Sequence, residues 1–352
     1  MTFEDLVTPR LLVDVDAFEA NVGAAEAMFG STDKRLRPHV KTHRTPGLAL
    51  KQLGGAAGGV TCATVGEAEA MAQAGIADLL IANEVIDPGK LARLARLARD
   101  ARVVVAVDSA TGVESLAAAA REAGSTIDVL VDVDVGLGRC GVPDAASAAA
   151  LARHVTTRPG LRFGGLMGYE GRLRASTTDD RGERIADAYA QLAEIKSALE
   201  ATGFDVGTVS SAGTSTLDEA LADPTVTEIQ AGTYALMEHD LDGLGLPFRP
   251  ATWVVGTVIS RSPGRAVLDV GRKSVACDYG LPLPAADGVS VASVNEEHTT
   301  LACDGTPPEL GARVLLQPSH VRLTFNLHDR VSLVRGGRVE EELPVTARGG
   351  SS

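Results

Sequence analysis

Residues 59–83 read GVTCATVGEAEAMAQAGIADLLIAN. Two short apolar runs, GVTCAT (59–64) and LLIAN (79–83), flank a segment in which apolar residues recur every three or four positions with charged residues between them. The short runs are typical of buried strands, and the middle segment is typical of an amphipathic helix. Because strands joined by a helix run parallel, this stretch predicts a βαβ unit.

The same alternation of strand and helix patterns fills the chain from residue 36 to residue 232. The helical spacing recurs, for example, in GKLARLARLARDA (89–101) and ERIADAYAQLAEIKSALEATG (183–203). Eight parallel strands favour an α/β fold with a closed (β/α)8 barrel of the TIM type, and an open doubly wound sheet is the alternative. The eight predicted strands are LRPHVK (36–41), GVTCAT (59–64), LLIAN (79–83), RVVVAVD (102–108), IDVLVDVDV (127–135), FGGLMGY (163–169), GTVSSAG (207–213) and TEIQAG (227–232).

The pattern changes after residue 251. Helical spacing disappears, and β-branched residues alternate with Gly and Pro turns, as in TWVVGTVISRSPGRAVLDVG (252–271). This pattern predicts a C-terminal, mostly antiparallel β-domain. Asp16 is the expected N-cap of the first helix. The predicted organisation is an N-terminal segment that joins the β-domain (1–20), the barrel (21–245), the β-domain (250–345) and a flexible tail (346–352).

Composition limits the possible partners. The chain has 352 residues and a formal net charge of −13, without a long Lys/Arg run, which argues against nucleic acid and membrane surfaces as partners. A small-molecule ligand is therefore expected. The first ten residues lack a secretory signal and no 18-residue apolar run occurs, so we expect a cytoplasmic protein. The four cysteines form no CxxC pair, which argues against a zinc knuckle or a disulfide framework.

Polar residues follow several of the predicted strands. Active sites of parallel barrels lie at the carboxyl ends of the strands. Lys41 ends the first predicted strand, Arg139 follows the fifth and Tyr169 ends the sixth. Glycine and hydroxyl residues follow the last two strands in SSAGTST (210–216) and QAGTY (230–234). Such turns suit a phosphate group, so a lysine that faces a phosphate-bearing ligand is predicted.

These motifs carry a family resemblance over nearly the whole chain. RPHVKTH, DVGLGRCG, GYEG, SAGTST, TEIQAGTY and PSHVRLTFNLHD occur in this order. The sequence resembles the D-threonine aldolase and D-serine dehydratase family of fold-type III pyridoxal 5'-phosphate (PLP) enzymes, which have an alanine racemase-like barrel. The resemblance implies that Lys41 binds PLP as a Schiff base, that Arg139 lies near the pyridine nitrogen, and that Tyr169 lies near the cofactor and shuttles a proton. The residues that it implies for phosphate binding are Gly213, Thr214, Gly232, Thr233 and Tyr234.

The chain departs from the family pattern in PSHVRLTFNLHD. The resemblance implies two ligands of a divalent metal here, a His and, two residues later, a Cys or Asp. His320 is kept, but Arg322 occupies the second position, and a guanidinium group does not ligate a metal. Three hypotheses follow. A metal binds through His320 and another donor, such as Glu297, His298 or Cys303; or the site is metal-free; or chemistry at the β-carbon has been lost.

The preferred hypothesis is the metal-free one, in which His320 is the acid/base at the β-hydroxyl and Arg322 binds a substrate carboxylate. The resemblance then implies a lyase that acts on a β-hydroxy D-amino acid, by retro-aldol cleavage or by dehydration, with Lys41, His320 and Tyr169 as catalytic residues. The resemblance also implies a head-to-tail homodimer. An amino-acid racemase and a non-catalytic PLP-binding protein are the alternatives. The acidic run EHDLDG (238–243) is expected at the surface, and Asp278 is expected to pair within the β-domain or across the dimer.

Overall fold

The computed structural model describes residues 1–54, 57–171 and 180–351. The chain forms two compact units. The β-unit comprises Met1–Ala25, Thr42–Leu48 and Thr233–Arg348. The barrel unit comprises Glu26–Lys41, Ala49–Gly232 and Gly349–Ser352.

The strands and α-helices are numbered in chain order. The strands of the described residues are β1 (Arg10–Asp14), β2 (Arg35–Leu36), β3 (Val60–Cys62), β4 (Asp78–Glu84), β5 (Arg102–Val107), β6 (Ile127–Val133), β7 (Leu161–Gly168), β8 (Thr208–Ser211), β9 (Glu228–Ile229), β10 (Thr252–Ser262), β11 (Arg265–Leu268), β12 (Leu283–Pro284), β13 (Val289–Val294), β14 (Thr299–Cys303), β15 (Arg313–Gln317), β16 (Arg330–Arg335) and β17 (Arg338–Pro344). The helices are α1 (Val15–Phe29), α2 (Pro46–Gln52), α3 (Val65–Gln73), α4 (Pro88–Leu97), α5 (Ala110–Ala123), α6 (Ala145–Thr156), α7 (Arg181–Ala201), α8 (Leu217–Ala222) and α9 (Val321–Asn326).

The barrel unit contains a ring of eight parallel strands. The strand order is β2-β9-β8-β7-β6-β5-β4-β3, and the ring closes because the segment after β2 pairs with β3. The amide of Thr61 donates to the carbonyl of Pro38 at 2.9 Å, and His39 forms a parallel bridge with Thr61. The predicted (β/α)8 barrel is confirmed, and the closed ring rules out the open sheet.

The helices of the barrel begin at capped turns. The side chains of Thr64, Asp87, Ser109 and Asp144 each accept a hydrogen bond from a backbone N–H in the first turn of α3, α4, α5 and α6. These bonds satisfy donors that a helix start leaves unpaired. The prediction that Asp16 caps α1 is wrong. Asp14 accepts the amide of Ala17 at 3.0 Å, and the helix begins at Val15, two residues earlier than with Asp16 as the cap.

The first barrel strand is shorter than predicted. β2 ends at Leu36, whereas the sequence pattern extended the strand to Lys41. Pro38 has no N–H to donate to a ladder. The flanking residues still bond to the β9 segment, since Arg37 N donates to Ile229 O at 2.8 Å and His39 N to Ala231 O at 3.2 Å. Lys41 lies in a single 3-10 turn, Val40–Thr42, directly after this pairing.

The β-unit is built around β10, an 11-residue strand. β1 pairs with β10 antiparallel and with β16 parallel, and β15 pairs with the other edge of β10. The remaining pairs of this unit, including β10 with β11, β13 with β14 and β16 with β17, are antiparallel. The predicted mostly antiparallel β-domain is therefore confirmed. None of the helices in the described residues combines the length and the hydropathy needed to cross a bilayer.

A buried ion pair links Arg37, directly after β2, to Glu228, the first residue of β9. Arg37 Nε donates to Glu228 Oε2 at 2.8 Å, and both side chains are almost fully buried. Arg37 Nη1 also contacts Asp78 Oδ1 at 2.9 Å, and Ser210 Oγ donates to Glu228 Oε1 at 2.8 Å. Removing one partner of such a pair leaves an uncompensated buried charge. The pair therefore holds the first and last strands of the ring in register.

We expect Glu228→Gln to lower the free energy of unfolding of the barrel by about 3 kcal/mol, because Arg37 would lose its buried counter-charge. Urea unfolding followed by circular dichroism measures this change. Glu200→Gln is the control, since Glu200 pairs with Lys196 at 2.6 Å on the exposed face of α7 and such pairs contribute less than about 1 kcal/mol. Equal stability of the two variants would contradict the prediction.

Candidate active site

Three of the predicted site residues meet at the carboxyl ends of the barrel strands. Lys41 Nζ lies 5.7 Å from the centroid of the Tyr169 ring, and the guanidinium carbon of Arg139 lies 5.8 Å from the same centroid. Lys41 and Tyr169 are half-buried, whereas Arg139 is exposed. The structure thus places an amine and a guanidinium beside one phenol ring, where both cations are within reach of the ring's negative face.

Two glycines make room for the Tyr169 ring. A Cβ atom at Gly171 would lie 2.1 Å from Cε1 of Tyr169, and a Cβ at Gly213 would lie 3.6 Å from its Cε2 and hydroxyl oxygen. At the first distance a side chain at 171 would displace the Tyr169 ring, so glycine at 171 lets the ring occupy this position. The second is an ordinary contact distance. A side chain at position 213 would therefore occupy the space beside the phenol hydroxyl.

The SSAGTST segment forms a tight turn after β8. Ala212 has a φ of 65°, a left-handed conformation that is uncommon for alanine. Residues Thr214–Thr216 form a 3-10 turn, and the amide of Gly213 donates to Thr216 Oγ1 at 3.2 Å. The amide of Gly213 is thus engaged within the turn. Thr214 is buried and has further contacts.

A group of acids lies near Arg139, and sequence reasoning missed it. Ligand atoms of Glu84, Asp108 and Cys140 lie within 4.8 Å of one another. Burial, followed by the charge of Glu84, raises the pKa of Asp132 to about 8, while Arg139 acts in the opposite direction. Burial and Glu84 also raise the pKa of the Cys140 thiol to about 11. A protonated thiol beside a guanidinium is a poor metal ligand. The spacing of these acids at strand ends was the available signal.

The β-unit carries a second cluster, centred on His320 at the start of α9. Arg322 Nε lies 3.3 Å from His320 Nε2, and Asp278 Oδ2 lies 3.4 Å from His320 Nδ1. The Tyr279 ring stacks on the imidazole with centroids 4.4 Å apart. Because Arg322 only donates, Nε2 accepts, which assigns the proton to Nδ1. Burial and then the charge of Arg322 lower the pKa of His320, so the imidazole is neutral at neutral pH.

Glu238 holds this cluster together. Its burial shows that the surface position predicted for EHDLDG (238–243) is wrong at this residue. Its side chain is fully buried; Oε1 accepts the amide of Val321 at 2.9 Å, and Oε2 lies 3.3 Å from Arg322 Nη2. Arg44 adds a contact to the same segment through its Nη1, 2.7 Å from the carbonyl of Arg322. Glu238 follows a fully buried run, residues 231–237, which was the signal that the sequence offered.

Residues Gly232, Thr233 and Tyr234 follow β9. All three are buried, and Thr233–Ala235 form a 3-10 turn. The Tyr234 ring packs on Phe248 with centroids 5.6 Å apart. This segment ends the barrel unit at Gly232 and opens the last part of the β-unit at Thr233.

The donors near His320 do not fit a divalent metal. Both ring nitrogens of His320 have partners, and the position of the expected second ligand is Arg322. Of the alternative donors, Glu297 pairs with Lys273 at 2.6 Å, Cys303 is buried in β14, and His298 is exposed. In the described ranges, the three-donor group that the structure does contain is the one at Glu84. We therefore derive no step that uses a metal.

A closed barrel with a lysine after its first strand, joined to an antiparallel β-unit, defines the class of alanine racemase-like proteins. Residues 13–240 match the model "Alanine racemase, N-terminal domain", and residues 251–334 match "Putative serine dehydratase domain". The chain belongs to this family of fold-type III, PLP-dependent enzymes, as its motifs predicted.

The relatives include aldolases and a dehydratase. A D-threonine aldolase of Arthrobacter sp. is 41% identical over 97% of this chain and 93% of its own length. The crystal structure of D-threonine aldolase from Filomicrobium marinum has a TM-score of 0.96 at 39% identity and covers 100% of this chain and 98% of that one. D-threo-3-hydroxyaspartate dehydratase from Delftia sp. HT23 has a TM-score of 0.89 at 26% identity and covers 97% and 98%.

The raised pKa of Asp132 makes stability depend on pH. The folded state keeps a proton that unfolded aspartate releases near pH 4, so this contribution is full below about pH 4 and is lost as pH rises to about 8. We expect Asp132→Asn to remove this decrease in the free energy of unfolding. The decrease in the wild type is at most about 5 kcal/mol at pH 8. Urea unfolding from pH 4 to 8 measures it. The exposed Asp100→Asn should keep the wild-type slope; an unchanged slope in Asp132→Asn would contradict the prediction.

Proposed function

We propose that this protein is a PLP-dependent lyase that cleaves β-hydroxy D-amino acids between Cα and Cβ at a site without a metal. Its membership of a family of β-hydroxy D-amino acid lyases supports the reaction class. Greater identity to D-threonine aldolases than to the Delftia dehydratase supports retro-aldol cleavage over dehydration. The observation that carries the metal-free site is the 3.3 Å contact between Arg322 Nε and His320 Nε2.

The barrel residues fit PLP. Lys41 and Arg139 flank the Tyr169 ring, and the missing side chain at Gly213 leaves room beside the phenol. Lys41 would hold the cofactor aldehyde and Arg139 would face the pyridine nitrogen. Gly213, Thr214, Gly232, Thr233 and Tyr234 would hold the phosphate. When bound, PLP supplies an electron-accepting ring that stabilises negative charge at Cα of the substrate.

Lys41 and Tyr169 would handle protons near Cα. Lys41, once its amine is released, would deliver or remove a proton at Cα. The Tyr169 hydroxyl would act as a donor in the same region. Arg139 stays charged at any physiological pH, so a pyridine nitrogen beside it stays unprotonated. Arg139 would therefore moderate the electron withdrawal that the cofactor supplies when bound.

His320 and Arg322 would act at the β-hydroxyl and at a substrate anion. Arg322 would turn from His320 to a substrate carboxylate, which would free the Nε2 lone pair of a neutral imidazole. Nε2 would then accept the proton of the β-hydroxyl as Cα–Cβ breaks and an aldehyde forms. Asp278, 3.4 Å from Nδ1, would stabilise the imidazolium. Arg322 would supply a positive charge to the site in place of a dication.

We also propose that the active form is a head-to-tail homodimer that acts on a small amino acid, as the family resemblance implies. Light scattering of the purified holoenzyme measures the dimer mass.

A racemase would need only proton transfer at Cα. Incubation of D-threonine in deuterated water separates the two functions, because a lyase releases acetaldehyde and glycine, whereas a racemase exchanges the Cα proton and leaves the β-carbon in place.

The covalent role of Lys41 has a direct test. Borohydride reduction of the cofactor-loaded protein should leave a pyridoxyl group on the peptide that contains Lys41, because its amine lies beside Tyr169 and a primary amine condenses with an aldehyde. Peptide mass spectrometry locates the group. Lys51→Ala, on α2, is the control and should keep the label at Lys41. A label at another lysine, or no label in a PLP-containing protein, would overturn the assignment.

The metal-free site predicts resistance to chelators. With EDTA present, cleavage of D-threonine and D-3-hydroxyaspartate by the wild type should stay within about twofold. Arg322→Asp restores a carboxylate at the usual ligand position; its activity should fall about 100-fold or more and recover in part with Mn²⁺. Arg322→Lys keeps the charge without the planar donor and should recover nothing with Mn²⁺. Loss of wild-type activity in EDTA, restored by Mn²⁺, would refute the metal-free proposal.

A further inference from the structure

Glu170 is a buried acid that the proposed mechanism does not use. It follows Tyr169 at the end of β7 and is 2% exposed. Three hydroxyl groups surround its carboxyl group: Tyr189 at 3.2 Å and Thr216 at 2.5 Å from Oε1, and Ser211 at 3.1 Å from Oε2. In the part of the chain that the structure describes, Glu170 has no ion-pair partner, unlike Glu228 in the same barrel.

The hydroxyl of Ser211 identifies the protonation state of Glu170. Its oxygen lies 2.6 Å from the carbonyl oxygen of Gly168 and 3.1 Å from Oε2 of Glu170. A serine has one proton, and a carbonyl oxygen only accepts. The proton of Ser211 therefore lies toward Gly168, at the shorter distance. The contact with Oε2 is then a hydrogen bond only if Glu170 carries a proton on Oε2 and donates it to Ser211.

A neutral carboxyl group satisfies every polar atom in this cluster. Oε2 donates to Ser211, which donates to Gly168, while Oε1 accepts from Tyr189 and Thr216. An ionised group would leave Oε2 facing an oxygen whose proton points to Gly168, which is unfavourable in a buried site, although the backbone amide of Glu170 also donates to the carboxyl group. Burial independently raises the pKa of Glu170, although the surrounding hydroxyls oppose this effect.

The two oxygens of Glu170 bond to residues on either side of a strained position. Ser211 precedes and Thr216 follows Ala212, whose φ is 65°. A left-handed alanine is unfavourable by roughly 1 kcal/mol or more, so it persists only where neighbouring contacts hold it. Thr216 in turn accepts the amide of Gly213 at 3.2 Å. Glu170 thus sets the backbone of the turn 211–216.

We propose that Glu170 is a protonated, neutral carboxylic acid that positions the turn 211–216, and through it the phosphate-binding residues Gly213 and Thr214. The ligand part of this inference rests on the proposed function. A neutral acid fits this role because an ionised carboxylate beside a phosphate dianion would repel it in a site of low dielectric.

The protonation state is tested on the cofactor-free protein. The infrared difference spectrum of wild type minus Glu170→Gln should contain the C=O stretch of a protonated carboxyl group at pH 7. Glu219→Gln is the matched control, because Glu219 pairs with Arg181 at 2.6 Å and its difference spectrum should contain carboxylate bands. Carboxylate bands in the Glu170→Gln difference spectrum would overturn the proposal, whether or not PLP binds.

The positioning role is tested by the ratio of the affinity for PLP to the affinity for pyridoxal, which lacks the phosphate. Glutamine reproduces the donor and acceptor of the neutral acid, so Glu170→Gln should keep the ratio of the two affinities within about twofold. Thr216→Val keeps the shape but breaks the link to Gly213, and should lower the ratio about tenfold, as expected for one hydrogen bond. The melting temperature of each variant shows that it is folded.

Each result of the affinity experiment is decisive. A tenfold lower ratio in Glu170→Gln would mean that the charge is needed and would overturn the neutral acid. An unchanged ratio in Thr216→Val would overturn the positioning role. Failure of the wild type to bind PLP would overturn the proposed function instead, and the infrared result would still decide the state of Glu170.

Discussion

The parallel hydrogen bonding that closes the ring of strands β2 to β9 determines where every functional side chain of the barrel lies. Because all eight strands run in one direction, their carboxyl ends meet at one mouth, and residues far apart in sequence become neighbours there. Lys41, Arg139 and Tyr169 are brought together in this way. The contact between Pro38 and Thr61 that closes the ring lies only three residues before Lys41. The same contact therefore helps to position the lysine.

A buried ion pair also stabilises the ring. Arg37 and Glu228 are buried as a pair, and neither is stable there alone. The two acids that contact Arg37, Glu228 and Asp78, begin β9 and β4, which matches the usual role of the amino ends of barrel strands in stability. The ion pair adds to the backbone bonds that continue the pairing of β2 and β9 past the two regular residues of each strand.

The sequence predicted the barrel, the β-domain and the residues beside Tyr169, because strand periodicity and strand-end position are local properties. It missed Glu170, Glu238 and the acids around Asp132, because burial of a carboxyl group depends on partners distant in sequence. Glu170 is buried by hydroxyls from β8 and α7, and Glu238 by the first turn of α9. The end of β2 was placed too late, since apolar periodicity continues through Pro38 while backbone donors do not. Asp14 rather than Asp16 caps α1, because its carboxylate accepts the amide of Ala17.

Glu238 explains why a cation is retained where the family pattern places a metal ligand. Its carboxylate is fully buried and accepts the amide of Val321, so it fixes the turn that presents His320. A buried carboxylate needs a positive partner. With a metal ligand at position 322, a bound dication would supply that charge; with arginine, the chain supplies it itself through the 3.3 Å contact with Glu238. The guanidinium also occupies the imidazole lone pair that a metal requires. In the proposed metal-free site, arginine at position 322 therefore keeps the charge of the β-unit cluster balanced, and the imidazole would accept a proton once Arg322 turns from His320 to the substrate.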